Sequence, residues 1–292
     1  MTVHQVLAGV RTWVPKNMPI RGFTHILNDV IKRIRAKGSW SWMFATDTIE
    51  TTEEYTTGTA DVENASTTVS GTGTTWTSGM VGCKIRFAGG PEYTISAVGS
   101  ATAITLTEKY TGETDTGLTY TIYQNVYSLA SDCQRVVKLW DTTNGRGIAS
   151  SSAAQLRTKE HESFTCGDVT EWAPWGRDTN KYPRVYLFPY PADPVVIEYV
   201  YLKKHTELTK PDDDIGLPDS LDDVIISGCL ANVFRQAKDW EAFRINHDIF
   251  SAGLTREWLN DQIPMDFQTR LARQDEVDTE ASVLNVSPVE SD

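Results

Sequence analysis

The 292-residue chain has no run of about 18 apolar residues, the length needed to cross a bilayer. Its first residues lack a compact apolar stretch followed by a small-residue cleavage site. Neither spanning nor secretion is therefore expected, and the chain reads as a soluble product of a cytoplasm. Cysteine is scarce: Cys83, Cys133, Cys166 and Cys229 stand far apart, with no Cys-x-x-Cys pair and no His at zinc-finger spacing. That pattern reads as buried free thiols rather than a metal site. Catalytic signatures are missing too. There is no Gly-x-Ser-x-Gly, no His-Glu-x-x-His, no phosphate loop and no dinucleotide glycine pattern, so neither an enzyme nor a cofactor is expected. Excess positive charge is also absent. A formal net charge of -12 argues against a nucleic-acid binder with a broad cationic face, whose affinity rests on neutralising phosphates.

What the chain does have is a region that is poor in helix formers and rich in Thr and Gly, residues 57–124. Short runs dominated by β-branched residues, such as Lys84-Ile85-Arg86-Phe87, Tyr93 to Val98, Ala103 to Thr107 and Leu118 to Tyr123, are separated by turns. Apolar residues alternate within them (Ile85 and Phe87; Tyr93, Ile95 and Ala97; Ile104 and Leu106), which buries one face and wets the other. An inserted all-β sandwich or barrel follows.

Helical patterns flank this insertion. Val3 to Trp13 carries an apolar stripe, Pro15 and Pro19 punctuate the chain, and a second helix is expected over Ile20 to Ala36 with Lys32, Arg33, Arg35 and Lys37 at its C-terminal end. Trp40, Trp42 and Phe44 alternate as in a strand. Beyond the insertion, a helix is expected over Ala153 to Glu162, and a β-hairpin is read from Val185–Pro189 and Val195–Leu202 around Tyr190-Pro191-Ala192-Asp193-Pro194. Trp172 and Trp175 read as core or interface anchors, with a sugar-stacking platform as the alternative. The Asp212-Asp213-Asp214 loop lacks the ligand spacing of a calcium loop and reads as solvated. Pro218 then opens the first helix of an αα-hairpin whose second helix carries Trp240, Phe243, His247, Phe250, Leu254 and Trp258. His247 on that stripe reads as a core histidine.

The ends of the chain differ in charge. Residues 1–38 hold seven Lys and Arg against Asp29 alone, while residues 261–292 hold eight acids against Arg270 and Arg273. The expected fold class is thus α+β: a helical body with a β-hairpin and an αα-hairpin, an inserted β domain and an extended C-terminal tail. The expected divisions are residues 1–56, 57–124, 125–262 and 263–292. In the tail, Phe267, Leu271, Val277, Val283, Leu284 and Val286 are too sparse to fold alone, yet too apolar for a merely solvating segment.

Two stretches are familiar. The order Thr-Thr-Val-Ser-Gly-Thr-Gly-Thr-Thr-Trp, Lys-Ile-Arg-Phe, Tyr-Thr-Ile-Ser-Ala-Val and Ile-Thr-Leu-Thr-Glu-Lys-Tyr-Thr-Gly resembles a β module that recurs in structural proteins of tailed bacteriophages. Over residues 183–262, Pro-x-Ala-Asp-Pro, Ile-Glu-Tyr-x-Tyr, Glu-Leu-Thr, the Asp-rich loop and Leu-Pro-Asp-x-Leu before paired helices resemble head-to-tail adaptor (connector) proteins of double-stranded DNA phages. The long insertion departs from the smallest adaptors, which are mostly helices.

The resemblance implies a structural virion protein in the neck: a twelve-subunit ring that joins the portal protein to the next tail or nozzle protein and continues the DNA channel. Its partners would then be portal, tail, further copies of itself, and double-stranded DNA that passes without specific binding; no membrane is involved. The tail residues named above would form the portal or subunit interface. A channel through which DNA slides should not adhere to it, and acids achieve this. Asp219, Asp222, Asp223 and Glu241 are the expected lining. The alternative is a tail-associated carbohydrate-binding or host-attachment protein, which predicts an exposed aromatic platform.

Overall fold

The computed structural model describes residues 1–14, 19–162 and 164–283, the stretch from 263 by its backbone alone, so Pro15 lies outside it. Helices α1 (Val3–Val10) and α2 (Ile20–Ala36) open the chain, α3 (Ala153–Glu162) lies among the strands, and α4 (Asp222–Ala237) and α5 (Trp240–Val283) follow them. The fold is α+β. It divides into a helical unit, residues 1–44 with 205 onward, and a β unit, residues 45–204.

In the helical unit, α1 starts with a capping box: Gln5 N–H donates to the Thr2 hydroxyl and Thr2 N–H to Gln5 Oε1. Its next free donors are met by the Asp-rich loop, as Val3 N–H bonds the Asp213 carbonyl and His4 N–H the Pro211 carbonyl. The Asp213 carboxylate accepts from the N–H groups of Thr209 at 2.7 Å and Lys210 at 2.8 Å, which holds its pKa below the usual carboxylate value. The loop is a structural turn that seats α1. On α2 the stripe Phe23, Ile26, Leu27, Val30, Ile31 and Ile34 is buried throughout.

The alternation at Trp40 to Phe44 does not make a strand. Ser41–Met43 is a 3₁₀ turn, because the buried Trp40 folds back and its indole N–H donates to the Ile34 carbonyl at 2.9 Å; the strand β1 (Phe44–Glu50) begins only afterwards.

Helices α4 and α5 form the αα-hairpin. Lys238 takes a left-handed conformation that ends α4, and Asp239 Oδ1 accepts from Ala242 N–H to start α5. The two run antiparallel and close: a Cβ at Gly228 of α4 would meet Phe250 of α5 and Val30 of α2 at 2.8 Å, and one at Gly253 would meet Val224 at 3.0 Å. The expected extended tail is corrected in part, since backbone helix continues through Val283. Residues 268–283 hold two each of Gln, Arg, Ala and Glu and neither Gly nor Pro, and this propensity outweighs the sparse apolar pattern.

The β unit holds two seven-stranded sheets. In the first, β2 (Thr59–Val62), β3 (Thr68–Thr72), β4 (Lys84–Phe87), β5 (Glu92–Ser100), β6 (Ala103–Leu106), β7 (Asp115–Leu118) and β8 (Tyr120–Tyr123) lie in the order β7-β2-β3-β6-β5-β4-β8. Its two edge strands are joined by Thr119 alone, so the sheet must curl on itself. The alternating residues Ala60, Val62, Val69, Ile85, Phe87, Tyr93, Ile95, Ile104, Leu106, Tyr120 and Ile122 form its core. Trp76 lies outside any strand but is buried there, donating to the Tyr120 hydroxyl at 3.0 Å.

The rest of the unit contains β9 (Val126–Ser128), β10 (Cys133–Asp141), β11 (Arg146–Ser150), β12 (Cys166–Gly167), β13 (Glu171–Arg177), β14 (Pro183–Phe188), β15 (Tyr190–Pro191) and β16 (Val196–Lys203). The second sheet runs β1-β16-β10-β11-β13-β14-β9. Both expected strands of the β-hairpin are present, but they do not pair with each other. β14 pairs with β13 and β9, and β16 with β10, because the link between them is itself used: Tyr190–Pro191 runs parallel to Cys166–Gly167.

Candidate functional site

The four acids expected to act together are split by the hairpin. Asp219 sits in the 3₁₀ turn before α4, Asp222 and Asp223 occupy the first turn of α4, and Glu241 the first turn of α5. Antiparallel packing puts these two helix starts at opposite ends, separated by α4's sixteen residues, roughly 24 Å at the α-helical rise. Asp219, Asp223 and Glu241 are exposed. Asp222 is half-buried, and its pKa is raised by burial first, against the field of the amino terminus, and further by the Asp219 and Asp223 carboxylates. All four stand where a helix N-terminus favours negative charge.

Helix α5 has two apolar faces. One is packed: Phe250 and Leu254 are buried against α4. The other is open, with Ile245, Ile249 and Leu259 at 51%, 53% and 51% exposure and Trp240, at the helix start, at 63%. Ile245, Ile249, Ala252, Arg256 and Leu259 follow one another by three or four residues, a second stripe at helical spacing. A groove of about 420 Å³ runs beside it, lined by Asp223, Val224 and Ser227 of α4 and by Ile249, Ala252, Gly253 and Arg256 of α5. Reading only the packed stripe from the sequence misses this face; the 245–249–252–256–259 spacing is the signal that finds it. His247 is no core residue either, since its side chain is 46% exposed beside Phe243. Of the residues expected at an interface, Phe267, Leu271, Val277 and Val283 are carried on the backbone of α5, while Leu284 and Val286 lie outside the described residues.

Within the β unit, a polar joint ties the curled sheet to the second sheet. Glu92 of β5 accepts from Lys84 at 3.1 Å, Arg157 of α3 at 3.3 Å and the Tyr123 hydroxyl at 2.8 Å. Glu160 of α3 accepts from Arg157 at 2.5 Å, Asn125 at 3.0 Å and the Tyr186 hydroxyl of β14. Burial alone would raise the Glu92 pKa, but Lys84, the Tyr123 hydroxyl and Arg157 outweigh it and hold the group below its ordinary value. Beside this network, Tyr123, Phe164 and Tyr190 pack ring on ring, and the Arg86 guanidinium lies 4.1 Å from the Phe164 ring centre.

The two tryptophans form no shared platform. Trp172 is buried in the second sheet's core, and Trp175 packs on Tyr186 at 5.1 Å. Cys83, Cys133 and Cys229 are buried thiols whose pKa burial raises, to about 11, 11 and 12, whereas Cys166 is exposed. Among the described residues no group of His, Cys, Asp and Glu is arranged to hold a metal ion, and no helix is long and apolar enough to cross a membrane. The arrangement offers an apolar helix face, a groove beside it and acids at both ends of the hairpin.

Comparison with curated proteins finds no match. A family profile described as SU10 adaptor protein matches residues 88–282, well over half of the chain, from the first sheet through the second and the helical hairpin into the extension of α5. The chain belongs to the SU10 adaptor protein family.

Proposed function

We propose that this protein is a structural component of a tailed-phage virion that assembles into a closed ring, twelve-fold by the adaptor resemblance, between the portal and the next tail or nozzle protein, continuing the DNA channel. The observation that carries the reading is the second apolar face of α5, which a solitary helical hairpin has no reason to keep. Membership of an adaptor family supports it. Asp219, Asp222, Asp223 and Glu241 are proposed to face the lumen, where negative charge lets DNA slide without sticking. The segment from Phe267 to Val286 is proposed to dock on portal or on a neighbouring subunit.

The test is the mass of the purified chain, alone and with portal, for the full protein and for a truncation after Gln262. The full chain should form a ring of uniform mass on portal, and the truncated chain should stay folded without assembling. A full chain that remains monomeric with portal present overturns the reading.

A further inference from the structure

The β unit holds a polar cavity for which a ring-forming role has no use. It measures about 190 Å³ and lies where residues of the two sheets meet: Lys84 of β4, Thr94 of β5, Gln124 and Asn125 of the link between β8 and β9, Trp175 of β13 and Arg184 of β14. Its lining includes two cations and no carboxylate. Lys84 is partly occupied, since its ammonium group donates to the Thr94 hydroxyl at 2.9 Å and to Glu92 at 3.1 Å. One Lys84 N–H and the Thr94 O–H are left to give. Arg184 is unoccupied. Among the described residues nothing accepts a hydrogen bond from its guanidinium, and its Nε is buried without a partner, an arrangement that is costly in a protein interior. Asp178 lies within the field of Arg184, but its oxygens accept from Tyr182 N–H at 2.8 Å and the Ser128 hydroxyl at 2.9 Å instead. The two amides add the opposite polarity. Asn125 donates to Glu160 at 3.0 Å and Gln124 to the Val126 carbonyl at 3.0 Å, and each still has an amide oxygen to offer, approached in Gln124 by the Cys83 thiol at 4.0 Å.

We propose that this cavity binds hydrogen phosphate. Its donors call for a compact anion with several oxygens, for which the guanidinium fork of Arg184 is suited. Its amide oxygens call for a ligand that also carries a proton. Inorganic phosphate at neutral pH meets both demands. Sulfate has the oxygens and the charge but no proton, and a phosphomonoester has lost most of its proton at neutral pH. Bound there, phosphate joins Lys84 of β4 to Arg184 of β14 and fastens the two sheets beside the Glu92 joint. The site needs no neighbouring subunit and does not depend on the ring.

The experiment titrates the full chain with sodium phosphate, sodium sulfate and glycerol phosphate by calorimetry at neutral pH, with ionic strength held constant by chloride. Phosphate should bind, and the other two should bind roughly tenfold more weakly, the loss expected when a hydrogen bond to a charged ligand goes unmade. Arg184→Gln should weaken phosphate by a similar factor. Urea midpoints separate this from a structural role for Arg184: phosphate should raise the midpoint of the wild type and leave that of Arg184→Gln where it was. A merely structural arginine lowers the midpoint by the same amount with and without phosphate. The comparison of phosphate with sulfate needs no variant, so it stands even if Arg184→Gln fails to fold. Absence of heat with phosphate, equal binding of sulfate, or a phosphate response that survives Arg184→Gln overturns the site.

Discussion

In the curled sheet of residues 59–123 the alternating residues from Ala60 to Ile122 are buried, whereas on α5 the isoleucines at 245 and 249 remain about half exposed. Both regions obey their own periodicity. The sheet gathers one apolar set and encloses it by curling, since its edge strands are neighbours in the chain. The helix carries two apolar sets about half a turn apart, and α4, with residues 37–41 against its later turns, covers one of them. A fully buried isoleucine is worth about 1.5–3 kcal/mol, and much of that remains unrealised on the open face. The first region encloses its apolar set, and the second leaves one of its two sets open to solvent.

The largest effect that can break this comparison comes from removing the self-enclosed region. Replacing residues 57–124 by a short Gly-Ser linker should abolish the curled sheet and leave the helical circular-dichroism signal intact. The curled sheet's core consists of its own residues, apart from the flanking Tyr55, which supports this expectation. A deletion variant with no folded structure contradicts it. The second effect tests whether the helical unit is tightly packed where it is packed at all. Gly228→Ala would place a methyl 2.8 Å from both Phe250 and Val30, closer than real side-chain carbons approach. Overpacking of this kind costs about 1–3 kcal/mol, so urea unfolding should shift to a lower midpoint. An unchanged midpoint means that α2 or α5 shifts freely, and that the unit is looser than the sheet on both faces of α5.

Much of this contrast was legible in the sequence, and the illegible parts share a cause. Period-two alternation located β4 to within no residue and β6 to within one, because a half-buried strand exposes its pattern directly. β7 was missed: Asp115-Thr116-Gly117-Leu118 has one apolar residue, and Gly117 takes φ 73°. The two strands read as a hairpin were real, but a strand's pattern says which face is wet and nothing about which strand lies beside it; β13, β9 and β10 were chosen by tertiary packing. On α5 Phe250 and Leu254 are buried as expected, while Trp240 and His247 of the same expected stripe are not; the open stripe was spelled out by its 245–249–252–256–259 spacing, but only the fold shows which of the two stripes is covered. The acids were legible as charge, yet the separation of Asp222 from Glu241 depends on the antiparallel turn at Lys238.

The smallest effect sharpens the comparison by asking how the self-enclosed sheet is attached within the β unit. Glu92 holds Lys84, Tyr123 and Arg157 together, and its pKa lies below the ordinary 4.5 although burial opposes this. A carboxylate depressed in the folded state contributes stability that is fully present above its unfolded value and is lost as pH falls through the lower folded value. The advantage of the wild type over Glu92→Gln should therefore be largest near neutrality and should shrink in acid below pH 4.5. Urea midpoints of the two proteins from neutral to acid pH measure it. Exposed carboxylates such as Asp213 are depressed as well and will weaken both proteins together, which is why the difference is the quantity to follow. Because the joint lies wholly among residues 84–186, proteolysis in acid should open the link between the two sheets before the helical signal changes. A gap between the two proteins that stays constant with pH, or helices that melt first, would place the attachment elsewhere.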